Sequence, residues 1–585
     1  MRSRTFVAAI AGLVAVAAMA GCAGIPSSGP VTRVADEGDL GQSTVRYAPR
    51  PARALPGATP EQIVRGYLDA MLAFPTSTRT ASSFLTPDAA RDWTPSSQVR
   101  IYSQPEVGGS EDAEGRPEQA ADPSEPVKVE LAFTEDAQLD RQGRYTRRAA
   151  PAAISYTLQQ VEGEWRIADP QEGLLVNQKF FTDYYRSFDL YYFDRPGRRL
   201  VPDPVYLVVG DQLATTLVAS LGGGPSQAQQ ESMRTYVPAR SALRPSVPVT
   251  DEGVADVEFT DDFSDLTSAA RDHLSAQVVW TLRQVQGIEG VQIVGGATAL
   301  TAGSEEIQPV QAWGGYGPST ARGRAYAVID NRVVEIDGGE ARPISGAWGE
   351  DARGAEFVGV SQSGIAGVLP GRDAVRLTSR EGASARTIRG NDFIAPDWDS
   401  DGRLWLVDRS AGGTRVRVVT GDEQTQIDVH EVAQLDATTF KISPDGTRYA
   451  VTAAGPDGGE LHVGSVLRDV QDRVLGLGSP SRVFTTAAQP RSASWSSGTE
   501  LSFLGDSEAG VQVYQVTIDG SETSSEVTRS GALLPDVGAD TLAIDPGGSR
   551  VLYVTDDRDQ LRFLPTGGSW RVIDTTPVTA LTFGR

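Results

Sequence analysis

Apolar and polar positions follow two different periods in the first part of the chain. From Thr59 to Leu72 the apolar positions recur at helical spacing, as in a helix with one buried face. Thr59 stands at the expected N-cap and Pro60 at the first helical position. The later segments alternate with period two, which predicts strands, over 127–133, 154–158 and 164–167. A helix followed by strands predicts an α+β domain over residues 57–197.

Helical and strand patterns alternate in the next region. One helix is predicted over 212–221, where Gly222-Gly223-Gly224-Pro225 ends it, and a longer one places Leu274, Val278, Leu282 and Val285 on a single face. Apolar segments of strand type surround these helices, over 204–209, 254–259 and 288–293. This alternation predicts an α/β domain over residues 198–300.

In the last part of the chain, short apolar segments are separated by turns that resemble one another, such as Asp401-Gly402 and Asp445-Gly446. Their spacing is about that of one four-stranded propeller blade. The repeat predicts an all-β propeller of about six blades over residues 311–585. We expect the segment 579–583 to pair with the first blade at 325–329, because closure of the ring leaves no open sheet edge.

The N-terminal segment has the pattern of a lipoprotein export signal. Two arginines precede an apolar stretch, 6–19, that is too short to span a bilayer, and the run Met19-Ala20-Gly21-Cys22 resembles a lipobox. Cys22 is the only cysteine, and acylation explains a lone exported thiol. An ordinary secretory signal with an incidental cysteine is the alternative. We therefore expect a signal peptide over 1–21, lipidation of Cys22, with palmitate among the acyl chains, and a tether over 22–56.

Composition restricts the partners and the location. At 585 residues the chain is long enough for about three or four domains. Its net charge of −23 argues against nucleic acid and against direct binding to anionic headgroups, so acyl chains would supply the membrane attachment. The expected location is the extracytoplasmic face of the cell membrane. Arginine greatly outnumbers lysine, which occurs only as Lys128, Lys179 and Lys441, a bias typical of GC-rich genomes such as those of actinobacteria.

Known catalytic patterns are scarce. The histidines, His273, His430 and His462, are far apart in sequence and no second cysteine is present, which disfavours a zinc protease. The Ser-x-x-Lys and Gly-x-Ser-x-Gly patterns of serine hydrolases do not occur. A glycosidase pair of carboxylates cannot be identified by sequence among so many acidic residues. We therefore expect no enzyme activity, no catalytic residue and no cofactor.

One acidic motif is more specific. Asp397-x-Asp399-x-Asp401-Gly402 matches the opening of a calcium-binding loop, in which alternate oxygen ligands surround the cation. Asp408 occupies the position of the usual final glutamate, and its shorter side chain weakens the match. The segment also coincides with a propeller turn, where hairpin geometry alone favours Asp and Gly. Calcium is therefore an open alternative, and no metal ligand is assigned.

The order of these regions resembles a known family. Region 57–197 is similar in element order to domains of the nuclear transport factor 2 (NTF2) type. Region 198–300 resembles the GerMN domain of spore-germination and cell-envelope proteins, chiefly through Thr281-Leu282-Arg283-Gln284-Val285 leading into Gly287-Ile288. With the lipobox, the run from Cys22 to Pro30 and the propeller, the whole is similar to the actinobacterial LpqB lipoprotein family.

This resemblance implies a role beside the MtrA–MtrB two-component system. The family is expected to contact the extracytoplasmic domain of the sensor histidine kinase MtrB and to influence envelope homeostasis and division. The leading hypothesis is thus a membrane-anchored accessory protein without enzyme activity. A lipoprotein that binds peptidoglycan or carbohydrate through the propeller face, and a propeller hydrolase, remain alternatives, because propellers support binding and catalysis alike.

Overall fold

A computed structural model describes residues 53–585 apart from several short segments. Those segments are 74–77, 112–124, 227–228, 239–245, 319–322, 338, 381–384, 456–457, 484–488, 509, 522, 526–533, 535–537, 547–550, 567 and 575. The expected signal peptide, Cys22 and the tether up to residue 52 lie outside the described residues, so their assignment stays a prediction. All the described residues belong to one compact unit.

The first region packs a helix on a five-stranded sheet. Its helices are α1 (Pro60–Met71), α2 (Arg79–Ser82), α3 (Pro87–Asp92) and α4 (Gln178–Tyr184). Its strands are β1 (Val99–Glu111), β2 (Val127–Leu139), β3 (Tyr145–Val161), β4 (Glu164–Ile167) and β5 (Leu174–Asn177), in the order β4-β3-β2-β1-β5. Thr59 and Gln62 form a capping box at the start of α1, as the Thr-Pro signal predicts. The buried face of α1 packs on the sheet in one apolar core, which confirms the predicted α+β domain.

The second region holds two sheets and two helices around a second core. Its strands are β6 (Tyr185–Asp194), β7 (Leu200–Val208), β8 (Met233–Arg234), β9 (Val254–Phe259), β10 (Gly290–Gly295), β11 (Thr298–Leu300) and β12 (Ile307–Pro309). Its helices are α5 (Leu213–Gly222) and α6 (Ser268–Leu282). One sheet has the order β7-β6-β8; in the other, β10 pairs with β9 in parallel and with β11 and β12 in antiparallel fashion. The alternation of strands and helices agrees with the predicted α/β domain.

Strand β6 belongs to this second region, although we expected the boundary at residue 197. The strand pairs with β7 from Tyr185 to Phe193, and its side chains Leu190 and Tyr192 are buried with both helices in the second core. Pro196-Gly197 has the composition of a domain boundary but forms the hairpin turn between β6 and β7, with Gly197 at φ 78°. The pairing therefore moves the start of the region to about residue 185.

Six sheets make up the described part of the propeller. Blades one to three contain β13 (Ala325–Ile329), β14 (Arg332–Asp337), β15 (Glu340–Pro343); β16 (Phe357–Val360), β17 (Ile365–Val368), β18 (Ala374–Thr378), β19 (Ala385–Arg389); and β20 (Asp397–Trp398), β21 (Leu404–Ser410), β22 (Gly413–Thr420), β23 (Glu423–Gln426). Blades four to six contain β24 (Asp436–Ile442), β25 (Arg448–Gly455), β26 (Gly458–Arg468), β27 (Val474–Leu477), β28 (Ser481–Arg482); β29 (Ala493–Trp495), β30 (Glu500–Ser507), β31 (Gly510–Thr517), β32 (Thr523–Ser525); and β33 (Ala539–Ile544), β34 (Leu552–Asp556), β35 (Leu561–Leu564), β36 (Arg571–Asp574). A short helix, α7 (Ala347–Glu350), and 3-10 turns at Gly314–Tyr316 and His430–Gln434 complete the region.

The last strand, β37 (Val578–Phe583), closes the ring. It pairs antiparallel with β13 from Ala325↔Phe583 to Ile329↔Val578, which confirms the predicted closure. The inner strands of the six blades, β37, β16, β20, β24, β29 and β33, contact one another in that cyclic order and line the central channel. The propeller of about six blades is thus confirmed, with six.

Candidate functional site

The acidic motif of residues 397–401 lies where the second region meets the propeller. Asp399 shapes the turn after β20, because its Oδ1 accepts hydrogen bonds from the backbone N–H of Asp401 at 3.0 Å and of Arg403 at 2.9 Å. Gly402 follows at φ 75°, a left-handed conformation that glycine adopts without strain. This turn leaves the carboxylate of Asp401 directed at the neighbouring domain.

Two arginines from the turn between β6 and β7 meet this carboxylate. Arg199 places Nη2 at 2.7 Å from Oδ1 of Asp401, and Arg198 lies 3.4 Å from Oδ2 of the same group. Arg198 also lies 2.5 Å from Asp472, in the turn between β26 and β27. A hairpin of the second region is therefore held by acidic turns of two propeller blades.

Two propeller arginines complete the arrangement from within. Arg468 places Nη2 at 3.0 Å from Oδ2 of Asp399 and Nη1 at 3.3 Å from Asp472. Arg403 contacts Asp472, Asp401 and Asp399. We call this group the junction cluster; its members are Arg198, Arg199, Asp399, Asp401, Arg403, Arg468 and Asp472. A buried charge is destabilising when it has no partner of opposite charge. Each member of the cluster therefore depends on its partners.

Electrostatics keeps Asp401 ionised. Burial alone would raise the pKa of this carboxyl, but the hydrogen bond from Arg199 and the charges of Arg199, Arg198 and Arg403 outweigh burial and hold its pKa below the usual value. The carboxylate therefore remains charged at neutral pH and continues to bind the arginines.

The geometry does not fit the calcium alternative. The carboxylates of Asp399 and Asp401 face guanidinium groups, which occupy the place of a cation. Asp397 faces the channel side, where Lys441 Nζ lies 3.5 Å away, and Asp408 pairs with Arg415 at 2.8 Å. In the part of the chain that the structure describes, no group of three or more His, Cys, Asp or Glu residues is arranged to hold a metal ion. The motif shapes the turn after β20 and joins the propeller to the second region.

Strand β7 extends the junction beyond the cluster. Arg448, which is 3% exposed, donates from Nη2 to the carbonyl oxygen of Pro202 at 2.7 Å and from Nη1 to that of Gly498 at 3.2 Å. On the other side, Arg144 of the first region pairs with Asp203 at 2.8 Å. One strand therefore contacts both flanking regions.

A second carboxyl at this junction has an unusual pKa. Burial raises the pKa of Asp189 on β6 to about 6; the charge of Arg448 opposes the shift, and the carboxylates of Asp203 and Asp519 add to it. The junction thus contains Asp189, whose pKa is raised into the mildly acidic range, as well as Asp401, whose pKa is lowered.

These features define a class: a multidomain protein in which a two-sheet α/β domain is joined by partly buried ion pairs to the face of a six-bladed propeller. The family model described as "Lipoprotein LpqB, N-terminal domain" matches residues 53–182, and that described as "Lipoprotein LpqB beta-propeller domain" matches 331–582. Between them, the model for "Sporulation and spore germination" matches 189–299, close to the region that begins with β6. The chain belongs to the LpqB lipoprotein family.

Relatives with this name cover nearly the whole chain. The Lipoprotein LpqB of Thermobifida fusca is 28% identical over 631 residues, which cover 96% of this chain and 96% of the relative. That of Streptomyces coelicolor is 26% identical, with the same coverage of both chains. Among solved structures, TolB from Acinetobacter baumannii aligns with 59% of this chain and 100% of its own at 12% identity and a TM-score of 0.34, too low to bear on function.

The chain is thus an envelope lipoprotein with a germination-type domain and a propeller. Among the described residues, no helix combines the length and the apolar character needed to cross a membrane. Sequence reasoning singled out Cys22, which lies outside the described residues, and the acidic motif, for which it left hairpin geometry and calcium binding as alternatives. It missed the arginines of the junction cluster, because charged residues in turns carry no local signal of their distant partners.

Proposed function

We propose that this protein is a membrane-anchored accessory lipoprotein, without enzyme activity, that contacts the extracytoplasmic domain of an MtrB-like sensor histidine kinase. Lipid on Cys22 would provide the anchor. Through this contact the protein would act on envelope homeostasis and division, as the family resemblance implies.

The observation that supports this proposal is the junction cluster. An accessory protein can transmit the position of one domain to a partner only if the domains between them do not move independently. Arg198 and Arg199 are paired with Asp401 and Asp472 at distances between 2.5 and 3.4 Å, so tilting the second region on the propeller would separate partly buried charges. This coupling suits a scaffold that presents a fixed surface.

Such a scaffold would act on the kinase by selective binding. A partner shifts an equilibrium between two signalling states only by the difference between its affinities for them. The net charge of −23 makes long-range electrostatics a part of that contact, and its contribution to the association rate should decrease as salt is added.

The test is a titration of the chain from residue 31 onward against the purified extracytoplasmic domain of the kinase, at low, intermediate and high salt. We expect saturable binding that weakens with salt. The double variant R198A/R199A, which removes the ion pairs between the second region and the propeller, should alter kinase autophosphorylation in liposomes less than the parent chain does. Absence of binding between two folded partners would contradict the proposal.

Binding to peptidoglycan or carbohydrate is the second candidate, and a cavity of about 430 Å³ enclosed by the inner strands of the propeller favours it. Retention of the protein on a purified cell-wall fraction that lacks the kinase would support that function.

A further inference from the structure

The inner strands of the propeller enclose a cavity of about 430 Å³, a size typical of small-molecule sites. Its walls include Phe357 at the start of β16, Thr439 in the middle of β24 and Leu542 in the middle of β33. The junction cluster lies at the other end of the channel, in the turn that follows the inner strand β20 and in the turn between β26 and β27. In the part of the chain that the structure describes, the second region therefore packs on the opposite face of the propeller, away from this end of the channel.

Three inner strands carry a β-bulge at this end. The register shifts between Ala437 and Thr439 in β24, between Ala539 and Thr541 in β33, and opposite Val328 and Ile329 in β37. The extra residues are Thr438, Asp540 and Thr579; all three are exposed and all line the cavity. Bulges redirect a side chain at the expense of a ladder hydrogen bond and are frequent beside functional sites. Their repetition at one level gives the cavity a polar rim.

The other end of the channel is closed by side chains from opposite blades. Arg585 follows β37 and reaches across to blade four, where its guanidinium donates to the carbonyl oxygens of Ser443, at 2.9 Å, and Ile442. Only about 20 Å³ of space remains there. The channel is thus a pocket with one open end.

The closed end holds three charged side chains. Lys441 and Arg585 lie there with the carboxylate of Asp397. Asp397 lies 3.5 Å from Lys441 and 3.9 Å from Arg585, and it accepts a hydrogen bond from the backbone N–H of Ile442 at 2.8 Å. Lys441 also lines the larger cavity, with 16% of its side chain exposed. Among the described residues its ammonium group has this one carboxylate partner, although it can donate three hydrogen bonds.

We propose that the propeller channel binds a small ligand that carries a carboxylate, with the carboxylate at Lys441 and the rest of the ligand against the polar rim. A carboxylate on the ligand would accept charge-assisted hydrogen bonds from the Lys441 ammonium group, whose one carboxylate partner among the described residues is 3.5 Å away, and low solvent access strengthens such bonds. The hydroxyl group of Thr579 and the carboxylate of Asp540 line the cavity nearer the opening, where polar groups of the ligand would lie. This inference does not depend on the kinase proposal.

The test uses the full-length chain in detergent, without kinase, and three probes: succinate, N-acetylalanylalanine, and the C-terminal amide of N-acetylalanylalanine. Calorimetry and ligand-observed NMR should show saturable binding of at least one acid probe and about tenfold weaker binding of the amide, because the charge-assisted hydrogen bond is lost. The variant K441M should weaken binding of the acid by about tenfold. K179M removes an exposed lysine with a side chain 84% accessible and should leave binding unchanged.

D540N provides a change of the opposite sign at an exposed position, where substitutions usually change stability little. Removal of this negative charge from the rim should strengthen binding of the acid probes, which also keeps the proposal testable if K441M does not fold. The proposal is overturned if neither acid binds saturably, if acid and amide bind equally well, or if folded K441M binds as the parent does.

Discussion

Replacement of Arg468 by methionine tests whether the junction cluster stabilises the propeller. Arg468 has only 6% of its side chain exposed, and its partner Asp399 has none. Breaking a buried pair by removal of one partner costs about 3–5 kcal/mol, because the other charge is left in a poorly solvated site. Asp399 keeps Arg403 at 3.4 Å and the indole N–H of Trp405 at 3.3 Å, so we expect the lower end of that range, about 3 kcal/mol.

Calorimetry measures the effect. For a domain of the propeller's size, each kcal/mol lowers Tm by about 2–4 °C, so R468M should lower the Tm of the propeller transition by about 6–12 °C. Hydrogen exchange of β21 and β26 identifies that transition, since a multidomain chain need not unfold in one step.

A matched control is available on the same hairpin. Arg473 pairs with Asp469 at 2.7 Å, but its side chain is 77% exposed. Surface pairs contribute about 0.2–1 kcal/mol, so R473M should lower Tm by no more than a few degrees. If R468M and R473M lower Tm equally, burial of the cluster is not what gives it strength, and the reasoning fails.

Three further changes test other parts of the structure. C22A should release the protein from the membrane fraction with its folded domains intact, and membrane retention of the variant would contradict lipidation. The folded-state pKa of Asp189, about 6, exceeds its usual 3.8, so its contribution to stability is full below about pH 4 and is lost as pH rises through about 6. D189N should therefore raise Tm at neutral pH and flatten the Tm profile between these values; an unchanged profile would be evidence against the shift. L581A removes a side chain that is 8% exposed at the closure of β37 on β13 and should lower the free energy of unfolding by about 2–4 kcal/mol in denaturant titrations, whereas a loss below about 0.5 kcal/mol would mean that closure does not depend on this packing.

Local signals explain which parts of the fold could be predicted. The start of α1 follows from Thr59 and Pro60, whose effects act within one helical turn. Closure of the ring followed from the apolar character of 579–583, because an unpaired terminal strand leaves an exposed edge. The boundary at residue 197 was misplaced, because Pro196-Gly197 has the same composition in a hairpin turn as in a linker.

The candidate sites depend on distant partners and could not be predicted in the same way. Asp401 meets Arg199, which is 202 residues away in sequence, and Arg468 meets Asp399 across 69 residues. The rim residues Thr438, Asp540 and Thr579 have no common sequence motif, because a bulge is a property of the register between two strands. Neither the distant ion pairs nor the register of the strands can be predicted from the spacing of residues in the sequence.

Closure of the ring by β37 also affects the order of folding. β37 completes blade one but is synthesised after the strands of the other five blades. β13 can therefore pair with it only when a segment about 250 residues later in the chain has emerged. Until then β13 presents an open edge that a second chain could occupy. Folding of the propeller should therefore be slow and end in one late step, and incomplete chains should be the species most prone to aggregate.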